Sequence, residues 1–222
     1  AHQYAEIAFD VLAVGALGLL GREAGGDRIG VLAAFGAALF PRFWASEGDI
    51  LSESLFALVV AVLLLLAYRA RCRRASLPIA LALGVLTGLA ALTRAEALLF
   101  AVLLVLPVLL VAPTRTTSRP RLVLVAAAGT LLVLGPWTAW NTTRFERPVV
   151  LSTGLGNVLA GANCATTYHG PLTARWDARC TELPGVRRHL RHGRVLDESV
   201  EDTELRDRGL RYVRDHPGRA VL

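Results

Sequence analysis

The chain of 222 residues has no methionine, and its 24 Lys+Arg are all arginine, so lysine is missing too. Without methionine the native start is expected to lie outside this sequence. Residue 1 opens directly into a helical pattern with no charged leader, which excludes a secretory signal peptide. Ala220-Val221-Leu222 reads as the entrance to another apolar segment, so the chain is expected to be cut from a longer protein at both ends. The arginine bias, with abundant Ala and Leu, fits a GC-rich bacterial coding preference. Soluble-enzyme signatures are also missing: there is no Ser-His-Asp order, Walker motif, HExxH or paired CxxC. Charge is missing over long stretches, because Leu55–Ala67 and Leu98–Ala112 carry none.

What is present is apolar and unevenly placed. The 54 % apolar content and mean hydropathy of +0.47 are both high for a soluble domain of this size. Apolar blocks fill the chain to about Trp140, and charged residues crowd the remainder. The blocks fall at 4–20, 29–45, 50–68, 77–93, 97–112 and 122–140. A hydrocarbon core of about 30 Å needs roughly 20 helical residues, so some of these blocks must borrow interface residues or lie shielded by neighbours. The expected fold is an all-α polytopic membrane protein. About six transmembrane helices in residues 1–141 lead into a small mixed region with an amphipathic helix in 142–222.

Charge sets the orientation. Arg22, Arg28, Arg69, Arg71, Arg73, Arg74, Arg115, Arg119 and Arg121 lie in three loops that alternate helices place on one side. The other side has an acidic Glu47-Gly48-Asp49 loop and a tight Thr93–Glu96 turn. By the positive-inside rule the arginine loops are cytoplasmic and residues 142–222 are extracytoplasmic. This placement accounts for the net charge of +6 and the pI of about 10.0 without a nucleic-acid partner. Cys72 falls in a cytoplasmic loop as a free thiol. Cys164 and Cys180 fall outside, where a disulfide persists. A zinc site adding His169 has no standard ligand spacing. Trp44, Trp137 and Trp140 mark outer helix ends, and Pro41 and Pro136 are expected to kink their helices. Gly84, Gly88 and Ala91 give the fourth helix a small face for close packing.

In the outer region, Val149-Val150-Leu151 reads as a short strand. Residues 187–194 read as either a solvated basic stretch or a contact for anionic headgroups. Residues 199–215 read as an amphipathic helix capped by Ser199, interfacial or domain-packing.

Ionisable groups in or near a bilayer are costly to place and so point to function. Glu53, with Glu47 and Asp49 before it, reads two ways. It is either an outer-face carboxylate that orients a polar substrate or holds a divalent metal, or an acid stabilising a helix N-terminus. Arg94 and Glu96 either pair with each other, or Arg94 binds a phosphate. Asn141 and Arg144 form a polar helix end at the outer face. Asn141-Thr142-Thr143 matches a glycosylation pattern, which carries little weight hard against a membrane. Asp10 lies inside the first span with no partner visible in the sequence.

Phe40-Pro41, Leu51-Ser52-Glu53-Ser54-Leu55 and the run Gly84 to Glu96 together resemble the core of bacterial GT-C polytopic glycosyltransferases. The nearest group is family 39, the protein O-mannosyltransferase and aminoarabinose-transferase-like branch. The segment from Trp137 to Asn141 with Arg144-Phe145, Pro148–Thr153 and Gly161–Cys164 is similar to actinobacterial members. The resemblance implies transfer of a sugar from a polyprenyl-phosphate donor at the bilayer to an extracytoplasmic glycan, lipid or protein acceptor. It implies a catalytic acid in a loop before residue 1, so the catalytic residue is unknown here, with Glu53 supporting and Arg94 on the donor phosphate. No cofactor is certain, and a divalent metal stays open. The competing readings are a transporter or flippase-like protein and a non-catalytic scaffold. Candidate charges clustered at one face, and the lack of a clear internal repeat, favour the enzyme.

Overall fold

A computed structural model describes residues 2–40, 53–114, 117–169, 173–183 and 197–219. Glu47, Asp49, Pro41, Trp44 and the basic stretch 187–194 lie outside the described residues. The chain divides into two units, Ala1–Pro136 and Trp137–Leu222.

The first unit is built from helices. Their order is α1 (His2–Gly25), α2 (Asp27–Ala38), α3 (Glu53–Cys72), α4 (Leu77–Thr93), α5 (Ala95–Val111) and α6 (Arg119–Arg144), which continues past the unit boundary. Every apolar block of the sequence is therefore helical over most of its described residues. Three helices, Tyr4–Gly25, Glu53–Cys72 and Arg119–Arg144, are long and apolar enough to cross a bilayer. The others are shorter: α2 has 12 residues, α4 has 17, and α5 belongs to the same short class. The protein is a multi-pass membrane protein with an extracytoplasmic segment.

Side-chain placement has the inverted logic of a membrane bundle. Large apolar groups face outward: Leu103, Leu124, Leu131 and Leu132 are all well exposed in the absence of lipid. The helix contacts are instead rich in small residues, with Ala67, Ala70, Ala80 and Ala126 in the core beside Leu63, Leu83, Leu109 and Leu122. Gly84 on α4 marks the tightest approach, where a Cβ would lie 1.9 Å from the carbonyl oxygen of Ala126 on α6. Gly26, at φ 84°, turns the chain between α1 and α2 in a conformation that side chains disfavour.

α5 is irregular. It opens with a 3₁₀ turn at Ala95–Leu98, widens to a π-helical stretch at Ala101–Val105 and finishes as α-helix at Leu106–Val111. Pro107 has no N–H to bond the preceding turn, and the wider stretch lies where a regular helix would clash with its ring. Pro136 is different, because α6 runs through it without interruption to Arg144.

The second unit is largely helical. After the end of α6 come α7 (Leu155–Ala162), the single turn α8 (Ala165–Tyr168), a 3₁₀ turn at Ala178–Thr181 and α9 (Glu198–Asp215). The strand expected at Val149-Val150-Leu151 does not form. Its carbonyls bond to helix side chains instead of a second strand: Trp137 Nε1 donates to Leu151 at 2.7 Å and Thr138 Oγ1 to Val150 at 2.9 Å. Cys164 and Cys180 are joined in a disulfide. α9 is capped by Asp197 rather than Ser199. The Asp197 carboxylate accepts from the Ser199 N–H at 2.9 Å, while the buried Ser199 hydroxyl accepts from the Arg147 N–H. α9 packs on α7 with Leu205 fully buried, which is domain packing. The Asp202 carboxylate caps the start of α7, accepting from Gly154 N at 2.7 Å and Gly156 N at 2.8 Å.

Candidate functional site

α1 and α3 run in the same direction. Their starts are joined where Ser54 Oγ donates to Asp10 Oδ2 at 3.1 Å, and their ends where Arg69 and Arg73 meet Glu23. Glu6 and Asp10, one turn apart on α1, are both buried. Asp10 is thus a helix-packing acid whose partner lies 44 residues away. The signal that flags it in the sequence is an acid inside an apolar span.

Glu53 is the first residue of α3, where an acid suits the helix dipole. Its Oε1 takes Arg94 Nη2 at 2.7 Å, with Glu53 mostly buried and Arg94 45 % exposed. Arg94 follows α4 in an extended conformation, φ −144° and ψ 116°, which ends that helix and turns the chain into α5. The guanidinium also lies over the Phe56 ring, 5.5 Å from its centroid. Among the described residues no Arg94–Glu96 ion pair forms; the ion-pair partner of Arg94 is Glu53. Arg94 and Glu96 line a groove of about 620 Å³ together with Phe56, Phe100, Leu103 and Leu104. One wall is the π-helical stretch of α5, a local geometry often found at functional positions. The guanidinium has five donors, so the bond to Glu53 leaves N–H groups for an anion.

Glu53, Arg94 and Glu96 are therefore brought together in the first unit. Asn141 and Arg144 belong to the second. The side chain of Asn141 is 1 % exposed, with Nδ2 at 3.5 Å from the Leu151 carbonyl. It is a buried amide and not a polar helix end meeting water, so it is also inaccessible to a glycan-transfer enzyme. Arg144 is exposed and stacks over Phe145, 5.0 Å from the ring centroid. Among the described residues no cluster of three or more His, Cys, Asp or Glu side chains is placed to hold a metal ion.

In the second unit, the carboxyl of Asp177 is held well below the usual carboxylate range. The Arg179 guanidinium bonds it, then the Thr166 hydroxyl and the Arg179 backbone N–H, against a smaller cost of burial. This cluster lies beside the disulfide, with Thr166 Oγ1 3.4 Å from Sγ of Cys180.

Residues 3–140, more than half of the chain, match the dolichyl-phosphate-mannose-protein mannosyltransferase family. The chain belongs to this family. No curated protein and no solved structure matches it. The region shared with the mannosyltransferase family takes in α1 to α5 and α6 as far as Trp140, and so contains Glu53, Arg94 and Glu96. It stops one residue before Asn141. The family membership fits a first unit whose exposed helix faces are rich in large apolar side chains.

Proposed function

We propose that the chain forms part of a membrane glycosyltransferase that moves a sugar from a polyprenyl-phosphate donor to an extracytoplasmic glycan, lipid or protein acceptor. The observation that carries this reading is the Glu53–Arg94 pair, whose arginine lines an apolar groove, inside the region shared with the mannosyltransferase family. A prenyl chain suits walls of Phe and Leu, and a phosphate suits a planar guanidinium beside them. As the glycosidic bond to phosphate breaks, charge develops on the leaving phosphate, and Arg94 stabilises it. Glu53 fixes the guanidinium and orients a sugar hydroxyl or serves as a base toward the acceptor. All six apolar helices enter the bilayer in this reading, the short ones with their interfacial flanks. Residues 142–222 supply the extracytoplasmic surface that selects the acceptor.

The test is sugar transfer from a polyprenyl-phosphate donor by membranes containing the full-length protein. Glu53→Gln and Arg94→Ala are each expected to abolish transfer with expression intact. Near-normal transfer by both variants removes the pair from the site.

A further inference from the structure

At the opposite ends of α1 and α3, two arginines bond one acid and a third lines the same cavity. Glu23 is 14 % exposed and uses both carboxylate oxygens. Oε1 accepts from Nε and Nη2 of Arg69, both at 3.0 Å, and Oε2 takes Arg73 Nη2 at 2.7 Å. Arg22 lines the same cavity of about 400 Å³, and Leu19, one turn up α1, forms its apolar wall. Arg22 itself meets Asp27 at 2.7 Å where both side chains are open to solvent.

A purely structural ion pair needs one arginine for Glu23. Here Arg69 and Arg73 share Glu23 while Asp27 takes Arg22, so one positive charge remains in excess where two spanning helices leave the bilayer. The carboxylate also does something a loose basic loop does not. It orders Arg69 and Arg73 side by side, so the guanidinium groups are arranged before any ligand arrives. Their remaining N–H donors suit the oxygens of a phosphate. Leu19 lies one turn nearer the middle of the α1 span than Arg22, on the side where a bound acyl chain would run, and the arginine-rich side is the cytoplasmic one, whose leaflet carries anionic lipids.

We propose that the cavity formed by Arg22, Glu23, Arg69 and Arg73 binds the phosphodiester headgroup of an anionic phospholipid in the cytoplasmic leaflet. The site lies at the other end of the α1–α3 pair from Glu53 and is independent of the transfer chemistry. Its ligand is retained and not turned over. Its effect is to tie α1 to α3 at the inner membrane surface.

Native mass spectrometry of the full-length protein, released from micelles containing phosphatidylglycerol and phosphatidylcholine, tests this. The wild type is expected to retain phosphatidylglycerol over phosphatidylcholine. The double variant Arg22→Gln/Arg73→Gln is expected to lower that retention at least fivefold. Both side chains are mostly exposed, at 65 % and 71 %, so folding should survive. Arg73→Lys keeps the charge but loses the planar fork, and should lower retention less than Arg73→Gln. Arg119→Gln/Arg121→Gln removes equal charge from the same side outside the cavity and should leave retention unchanged. Equal losses in the two double variants, or no loss in the first, overturn the proposal. So does soluble glycerol phosphate binding as tightly as the lipid, which would make the ligand a free anion.

Discussion

The Ser54 hydroxyl donates to the Asp10 carboxylate across the α1–α3 contact, next to the residue that holds Arg94. Ser54→Ala removes this bond from a buried acid and should cost about 1 kcal/mol. The expected outcome is a melting temperature lower by a few degrees in detergent, with Ser54→Thr close to wild type. An unchanged midpoint for Ser54→Ala would show that the bond contributes nothing.

The Glu53–Arg94 pair should matter far more to activity than to stability. Arg94 is nearly half exposed, and an ion pair of this kind contributes roughly 0–1 kcal/mol. Arg94→Lys preserves charge but not the fork, so transfer should fall at least tenfold while thermal stability stays within about 1 kcal/mol of wild type. Parallel measurement of melting and transfer rate separates the two; a loss of stability matching the loss of rate would reduce the pair to a structural clamp.

Gly84→Ala should be among the most damaging small substitutions in the first unit. The added Cβ would have to displace the backbone of Ala126 and not a flexible side chain. Overpacking of this kind costs about 1–3 kcal/mol or more. Gly135→Ala, where a Cβ meets nothing within 4 Å, is the matched control. Yield of monodisperse protein should fall for the first and not for the second.

Reduction of Cys164–Cys180, which closes a loop of sequence separation 16, should destabilise the second unit by about 2–4 kcal/mol. Limited proteolysis should then cut within 165–179 when dithiothreitol is present and not when it is absent. The same cleavage should appear in Cys164→Ser without reductant.

Acid should act on the same region. The carboxyl of Asp177 titrates below its unfolded value of about 3.9. Its stabilising contribution is therefore complete above that value and is lost as pH falls from about 4 through the lower folded pKa. Asp197, lowered chiefly by its bond with Ser199, acts in the same direction. Asp177→Asn should lower the unfolding midpoint at pH 7, and the gap from wild type should narrow toward pH 3. A constant gap would rule out titration of Asp177 as the cause.

What could be read from the sequence follows from the range of the forces involved. Helices in the apolar blocks, the small face around Gly84 and the clustering of arginine at one set of loops are written in local composition. Glu53 and Arg94 stand out because charge is rare in such segments. Their pairing does not, since 41 residues separate them and Glu96 lies much nearer in sequence. The partners of Asp10 and Glu23 are hidden for the same reason. Val149-Val150-Leu151 has strand composition, but a strand needs a second strand, and here Trp137 and Thr138 occupy its carbonyls first. Ser199 has the residue type of a cap, yet Asp197 two residues earlier is the better acceptor.

The two polar fastenings of α1 to α3 also lie at different depths. Ser54 and Arg69 are 15 residues apart on one helix, roughly 22 Å at about 1.5 Å per residue. A typical hydrocarbon core of about 30 Å is matched by the whole 20 residues of α3, so the two fastenings do not both lie at its edges. The Arg69 and Arg73 side chains reach outward to the headgroups, which leaves the Ser54–Asp10 bond as the fastening inside the apolar layer. A bond held where water does not compete fixes the rotation of α1 against α3, and with it the direction in which the neighbouring Glu53 leaves the helix.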